Sequence, residues 1–146
     1  MSTLTFHKAA IAPVISGLKN AHAVITKGYS YAQTNKVDPN DYLTASLHPD
    51  MKDLRYQIYR FTDAAKFIPA RVNPALEGLP LPDEEQTFPE LLERIEKCIK
   101  YLEGFSEKDF EGRHDEEVVI KFPGGVKQIR LPAAEYVNRF AHPNMW

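Results

Sequence analysis

Several kinds of residue and segment are scarce in this 146-residue chain, and each scarcity excludes a class of protein. The one cysteine, Cys98, excludes an internal disulfide and any metal cluster built from several cysteines, which agrees with a reducing compartment. No apolar run approaches the roughly 18 to 20 residues that span a bilayer, and the N-terminus lacks a basic segment followed by an apolar one. We therefore predict a cytoplasmic protein without a membrane partner.

Strong charge and ligand-binding motifs are also absent from the sequence. The formal net charge is −2 with no long basic run, which gives no electrostatic surface for nucleic acid. There is no Gly-x-Gly-x-x-Gly, no phosphate-binding loop and no His-x-His or His-x-x-His pair, so any metal ligands would have to be assembled from separate helices. We predict no nucleic-acid partner and no metal or other cofactor.

Helical periodicity dominates what the sequence does contain. With 43% hydrophobic and 26% charged residues, the chain fits one domain over residues 1–146. Between Leu47 and Ile68 the apolar residues step by threes and fours, which predicts a helix packed against other helices. Asp50 and Gln57 project beside this apolar face, where the interior of a bundle would meet a ligand.

Three more helices and a hairpin complete the predicted mainly α fold. The first helix is capped by Thr3 or Thr5 and runs to about Gln33, with Pro13 expected to kink it unless it begins nearer to Ile11. Pro49 suits the first turn of the second helix and Pro69 closes it. The third helix starts at a capping box, Thr87–Glu90, and ends at Gly104 as a left-handed cap. A β-hairpin, residues 118–122 and 126–131 around Pro123-Gly124-Gly125, precedes a fourth helix that starts at Pro132 and has hardly begun by Trp146.

Five segments in this order resemble a known family. They are Leu47-His48-Pro49-Asp50-Met51, Asp63-Ala64-Ala65-Lys66, Thr87-Phe88-Pro89-Glu90-Leu91, the hairpin and Phe140-Ala141-His142-Pro143-Asn144. Together they resemble an uncharacterised bacterial and fungal family of DinB-like four-helix-bundle proteins, a domain of unknown function. The resemblance implies an up-down helical bundle whose relatives continue for about another helix, so the last helix here is expected to be incomplete.

The resemblance also raises the question of a metal site. Many DinB-like proteins bind a divalent metal through three histidines, one on the second helix and two on the fourth, and some are thiol-dependent enzymes. Here Gln57 stands near the second-helix ligand position, and the region that would supply the other two histidines lies beyond Trp146. The resemblance therefore does not carry a metal site over to this chain.

Polar residues on the apolar faces are the candidate site. If successive helices alternate in direction, His22 and Gln57 would lie level within roughly 6 Å at 1.5 Å per residue. We predict catalytic roles for His22 as general base, with Asp50 and Gln57. The predicted substrate-binding residues are His48, Tyr29, Cys98, Tyr136 and Asn144.

Each candidate has a structural alternative. His22 would be a core histidine bonded to a neighbour, and Cys98 a small hydrophobe. His48 would cap a helix locally, and Asp50 would be a first-turn acid that favours the helix dipole.

Three functions remain open from the sequence. The first is a small-molecule enzyme or binding protein that uses proton transfer in a bundle cavity, as a cofactor-independent isomerase, cyclase or lyase would. The second is a noncatalytic helical association module, and the third a DinB-like metal-dependent enzyme. An incomplete last helix would leave apolar faces exposed, so we also predict a homodimer with Phe140, Met145 and Trp146 near the contact.

Overall fold

The computed structural model describes residues 4–122, 124–125 and 127–146, which form a bundle of helices with one hairpin. The helices are α1 (Phe6–Thr34), α2 (Pro39–Leu43), α3 (Leu54–Val72), α4 (Phe88–Glu103), α5 (Glu107–Phe110) and α6 (Ala133–Tyr136). A 3₁₀ turn covers Pro49–Met51 and a π-helical turn covers Val137–Ala141. The hairpin consists of β1 (Glu117–Lys121) and β2 (Gln128–Pro132). The predicted mainly α class, with a small hairpin before the last helix, is confirmed.

The first helix begins where one of the two predicted caps stands. The Thr5 hydroxyl accepts a hydrogen bond from the Lys8 amide at 3.3 Å, which satisfies one unpaired N–H of the first turn. The alternative cap, Thr3, lies outside the described residues. Pro13 is accommodated inside a continuous helix, so the helix starts well before Ile11.

The second long helix starts seven residues later than Leu47, at Leu54, so the predicted start is wrong. The chain turns at Lys52, whose φ of 64° lies in the left-handed region and breaks the helix. Asp53 then caps α3 by accepting a hydrogen bond from the Tyr56 amide at 3.0 Å. Pro69 does not close α3 either, because the helix continues to Val72.

The third long helix begins as predicted but ends differently. The Thr87 amide donates to the Glu90 carboxylate at 2.9 Å and the Glu90 amide donates to the Thr87 hydroxyl at 3.4 Å, which confirms the capping box. Gly104 has a φ of −74°, so the predicted left-handed cap is wrong. Its amide instead bonds to the Tyr101 carbonyl in a tightened last turn.

Contacts along the helices give their relative directions. α1 and α4 are antiparallel, since Lys19 pairs with Glu103 near one end of the contact and Tyr29 stacks on Phe88 near the other.

α3 and α4 run in the same direction. Arg55 bonds to Gln86 at their starts, Cys98 to the Thr62 carbonyl midway, and Asn73 to the Asp109 carbonyl beyond the end of α4. The expected alternation therefore stops at the third long helix, and residues 73–87 cross back along the bundle.

The hairpin and the last helical segment pack on one side of the bundle. β1 and β2 pair antiparallel with Glu117 opposite Pro132, and Gly124 and Gly125 have φ values of 90° and 68° that a tight turn requires. Pro123 and Val126 of the predicted hairpin lie outside the described residues. The Trp146 ring covers Gly17, where a Cβ would lie 2.5 Å from ring carbon Cη2.

The core lies between these elements and is filled by side chains with at most 3% exposure. Its larger members are Ile11, Leu18, Leu43, Ile58, Ile68, Phe88, Leu91, Ile95, Leu102, Phe110 and Tyr136. Within the described residues, no helix is long and apolar enough to cross a membrane.

Candidate functional site

His22 is engaged at the contact between α1 and α4. Its Nε2 lies 2.9 Å from a Glu96 carboxylate oxygen and its Nδ1 lies 3.5 Å from the Thr26 hydroxyl. The side chain is 30% exposed. This geometry agrees with the structural alternative, a histidine bonded to a neighbour.

Cys98 and Tyr136 are buried packing residues. Cys98 donates to the Thr62 carbonyl at 3.7 Å, and burial raises the pKa of its thiol to about 12. The Tyr136 hydroxyl accepts from Arg71 at 3.2 Å, and burial raises its pKa despite the nearby guanidinium. At neutral pH both groups therefore keep their protons.

Tyr29 makes a packing contact and Asn144 a hydrogen bond. The Tyr29 ring stacks on Phe88 with centroids 5.0 Å apart. The Asn144 amide donates to the Phe140 carbonyl at 2.6 Å, one helical turn earlier. Neither contact brings these residues to His22 or Gln57.

His48 lies just before the 3₁₀ turn and Asp50 lies within it, and both side chains are exposed. The His48 Nδ1 accepts a hydrogen bond from the Asp50 amide at 3.3 Å and lies 3.6 Å from the Asp50 carboxylate. The side chains are 63% and 91% exposed. His48 therefore caps the turn locally, as its structural alternative predicts. Asp50 was expected in the first turn of the second helix but lies in the separate 3₁₀ turn before α3.

Gln57 lines an open pocket of about 390 Å³ between α2, the 3₁₀ turn and the start of α3. The side-chain amide of Gln57 donates to the Met51 carbonyl at 2.5 Å, which ties the turn to the helix. Leu47 and Met51 are 93% and 49% exposed. The residues around this pocket are Tyr42, Ala45, Ser46, Leu47, Met51, Lys52, Asp53, Leu54 and Gln57.

The structure therefore separates the predicted site residues into two groups. Gln57 lines the pocket, and His48 and Asp50 lie in the adjoining turn, whereas the other five belong to the core or to other surfaces. His22 lies 12 residues before the end of α1 and Gln57 only 3 after the start of α3, so at 1.5 Å per residue they are offset by roughly 14 Å. The late start of α3 is the reason that the two residues are not level.

A buried group that the sequence analysis missed centres on Arg94, whose side chain has no solvent exposure. Its Nε donates to the Thr62 hydroxyl at 2.8 Å, and one terminal nitrogen donates to the Pro82 carbonyl at 2.8 Å and to Glu85 at 3.1 Å. The other terminal nitrogen lies 3.2 Å from Asp63 and 3.1 Å from Asp83.

Two further cations complete this charged cluster. Lys66 and Arg60 approach Asp63 to 2.7 and 3.0 Å, and Arg60 also pairs with Asp83. One sequence feature could have indicated this cluster: Arg94 lies on the apolar stripe of α4, between Leu91 and Cys98. The cluster fastens the 73–87 crossing to α3 and α4, so its contacts support the fold.

A second pocket, of about 360 Å³, lies between the start of α1 and α5 and includes His7. Both ring nitrogens of His7 are buried without a hydrogen-bond partner among the described residues. The ring packs edge-to-face on Phe110 with centroids 5.3 Å apart. The geometry assigns His7 a packing contact.

The metal site that the family resemblance raises does not fit the residues present. The amide of Gln57 is engaged with the Met51 carbonyl. Across residues 4–122, 124–125 and 127–146, no group of three or more His, Cys, Asp or Glu side chains is placed to hold a metal ion.

Comparison with known proteins assigns the family. Residues 6–146 match the model of a domain of unknown function, DUF1993. The chain belongs to this family. A crystal structure of a DinB family member from Shewanella denitrificans is similar to this DUF1993 chain with 31% sequence identity and a TM-score of 0.83. The similarity covers 95% of this chain and 77% of that one, which confirms the DinB-like bundle. A comparison with curated proteins found no match.

Proposed function

We propose that this DUF1993 chain binds a small, mainly apolar molecule in the pocket between Tyr42 and Gln57. The observation that supports the proposal is the exposure of Leu47 and Met51 around a concave surface of about 390 Å³. Ligand pockets are typically concave, apolar and of roughly 300 to 1,000 Å³. Covering a side chain as exposed as Leu47 would contribute about 1.5 to 3 kcal/mol.

Gln57 would orient the ligand. Its amide nitrogen is held by the Met51 carbonyl at 2.5 Å, so the side chain is fixed before a ligand arrives. The amide oxygen remains as an acceptor for a donor group on the ligand. A fixed polar group in an apolar pocket gives orientation and specificity.

Proton transfer in this pocket stays a prediction, and His48 is the residue that would carry it. Because its Nδ1 accepts a hydrogen bond from the Asp50 amide, a neutral ring carries its proton on Nε2. His48 directly follows Leu47, whose side chain lines the pocket. His22 would serve the fold through its contact with Glu96.

Titration with octanol, followed by backbone amide NMR, tests the binding proposal. At about 0.3 to 0.5 kcal/mol for each of its heavy atoms, octanol would bind with about 2.7 to 4.5 kcal/mol, a Kd of about 0.5 to 10 mM. We expect shifts at Leu47, Met51 and Gln57. Leu47→Ser should weaken binding, whereas Leu4→Ser, which changes a leucine that is 76% exposed elsewhere, should not. Equal weakening by both variants, or no shift at the pocket, would refute the proposal.

Association of two copies is the second candidate, and exposed apolar side chains favour it. Trp146, Val24 and Tyr31 are 72%, 71% and 58% exposed. Of the residues predicted near the contact, Met145 is largely buried against Gly17 and Phe140 packs on Tyr136 within its own chain, which leaves Trp146 as the anchor. Sedimentation of the protein at high micromolar concentration tests this: a dimer that Trp146→Ser dissociates supports it, and a monomer refutes it.

A further inference from the structure

We propose that the ligand of this pocket is a small carboxylate whose apolar chain lies against Leu47 and Met51 and whose carboxylate binds the Lys52 ammonium. The inference rests on the apolar pocket proposed above and adds the chemical class of the ligand. It follows from the position, backbone and charge environment of Lys52.

Lys52 lies at the boundary between two depressions. It lines the apolar pocket with Leu47 and Met51, and it also lines a polar depression that includes Arg55 and Asp83. A ligand that fills the apolar pocket therefore ends beside a cationic side chain. An amphiphile with one acidic end matches this change from an apolar to a polar surface.

The backbone at Lys52 is held in an unfavourable conformation. Its φ of 64° is in the left-handed region, which costs a non-glycine residue about 1 kcal/mol or more. Both sides are fixed, since the Met51 amide bonds to the His48 carbonyl at 2.9 Å and the Asp53 carboxylate caps α3. The rigid turn fixes where the lysine side chain leaves the backbone.

The neighbouring polar groups are already engaged. The Asp53 carboxylate accepts from the Tyr56 amide at 3.0 Å and from Arg55 Nε at 2.9 Å. Although burial opposes it, these bonds hold the pKa of Asp53 below its usual range, so this carboxylate and Arg55 neutralise each other. The Ser46 hydroxyl donates to the His48 carbonyl.

Lys52 itself remains available to a ligand. Among the residues that the structure describes, no carboxylate lies within salt-bridge distance of its ammonium, although the exposed Asp50 is two positions away. The carboxylate of a ligand would supply a counter-charge to the Lys52 ammonium, and the two groups would form a charge-assisted hydrogen bond.

Titrations with octanoate, octanol and acetate, followed by backbone amide NMR, separate the charge from the chain. We expect octanoate to bind more tightly than octanol, by about three- to tenfold for an exposed charge-assisted bond, and acetate not to saturate. Raised salt should weaken octanoate binding but not octanol binding.

Two lysine variants provide a matched comparison. Lys52→Met keeps the apolar stem and should remove the preference for octanoate. Lys36→Met is the control, since Lys36 is also exposed with a left-handed φ, 54°, but does not line the pocket. Thermal melting of each variant checks that the fold is retained.

The outcomes distinguish this inference from the proposed function. Equal affinity for octanoate and octanol, or a preference that survives Lys52→Met, would overturn the assignment of Lys52 and leave the apolar pocket standing. No binding of either compound would overturn both. A dimer that Leu47→Ser dissociates would show that a second copy covers the pocket, and this too would overturn the inference.

Discussion

Replacing Arg94 by leucine should strongly destabilise the protein. The guanidinium is fully buried and donates to Asp63, Asp83 and Glu85, which are 15%, 39% and 18% exposed. Leucine would leave these carboxylates facing each other without their shared cation. Breaking a buried ion pair by removing one partner costs about 3 to 5 kcal/mol, a large fraction of the roughly 5 to 15 kcal/mol that holds a domain folded.

Urea denaturation followed by circular dichroism measures this loss. Arg139→Leu is the matched control, because Arg139 makes an exposed ion pair with Glu135 along one helix and should cost less than about 0.5 kcal/mol. Arg94→Leu should also speed proteolysis within residues 73–87, since the cluster holds that segment. A loss below about 1 kcal/mol for Arg94→Leu, or one equal to the control, would refute the reasoning.

Three further predictions concern a close helix contact, a thiol and a cap. Gly17→Ala should displace Trp146, the one tryptophan, and shift its fluorescence. Gly28→Ala is the control, because no atom lies within 4 Å of the new Cβ, and it should raise the free energy of unfolding by up to about 1 kcal/mol. An unchanged spectrum for Gly17→Ala would contradict the packing. Cys98, whose pKa burial raises to about 12, should react with a thiol reagent at pH 8 only after unfolding, and rapid reaction of the native protein would contradict its burial. Thr87→Ala should lower the free energy of unfolding by about 1 kcal/mol, and an unchanged urea midpoint would contradict the cap.

The sequence predicted the elements whose signals are local. The capping box at Thr87 and Glu90 depends on residues three positions apart, and the structure contains both of its hydrogen bonds. The hairpin likewise follows from alternation around two glycines. Such features are set by neighbours in the chain, so one sequence is sufficient to find them.

The start of α3 shows where local patterns misled. The apolar spacing from Met51 continues smoothly into the helix, yet Lys52 leaves the helical region and Asp53 supplies the cap. A left-handed lysine has no sequence signature comparable to a glycine or an asparagine. Because the predicted helix began seven residues too early, Gln57 was placed too far from the start of the helix and therefore level with His22.

The candidate site was less predictable than the fold because it depends on helix direction. α3 and α4 are parallel, which only long-range contacts such as Asn73 to Asp109 reveal. The pocket around Gln57 is built partly from the connection after α1, where Asp38 caps the short helix α2. Three of the predicted residues, Gln57, His48 and Asp50, nevertheless lie in or beside that pocket.

The balance of charge around Arg94 has a consequence for how the family can vary. Three cations, Arg60, Lys66 and Arg94, face three anions, Asp63, Asp83 and Glu85, so their formal charges cancel. Losing the charge of a largely buried member, such as Arg94 or Lys66, would leave an uncompensated ion in a region that water reaches poorly. In relatives that keep this crossing segment, losses at these positions should occur in oppositely charged pairs, so that a residue on α3 or α4 changes together with one on the segment that it holds.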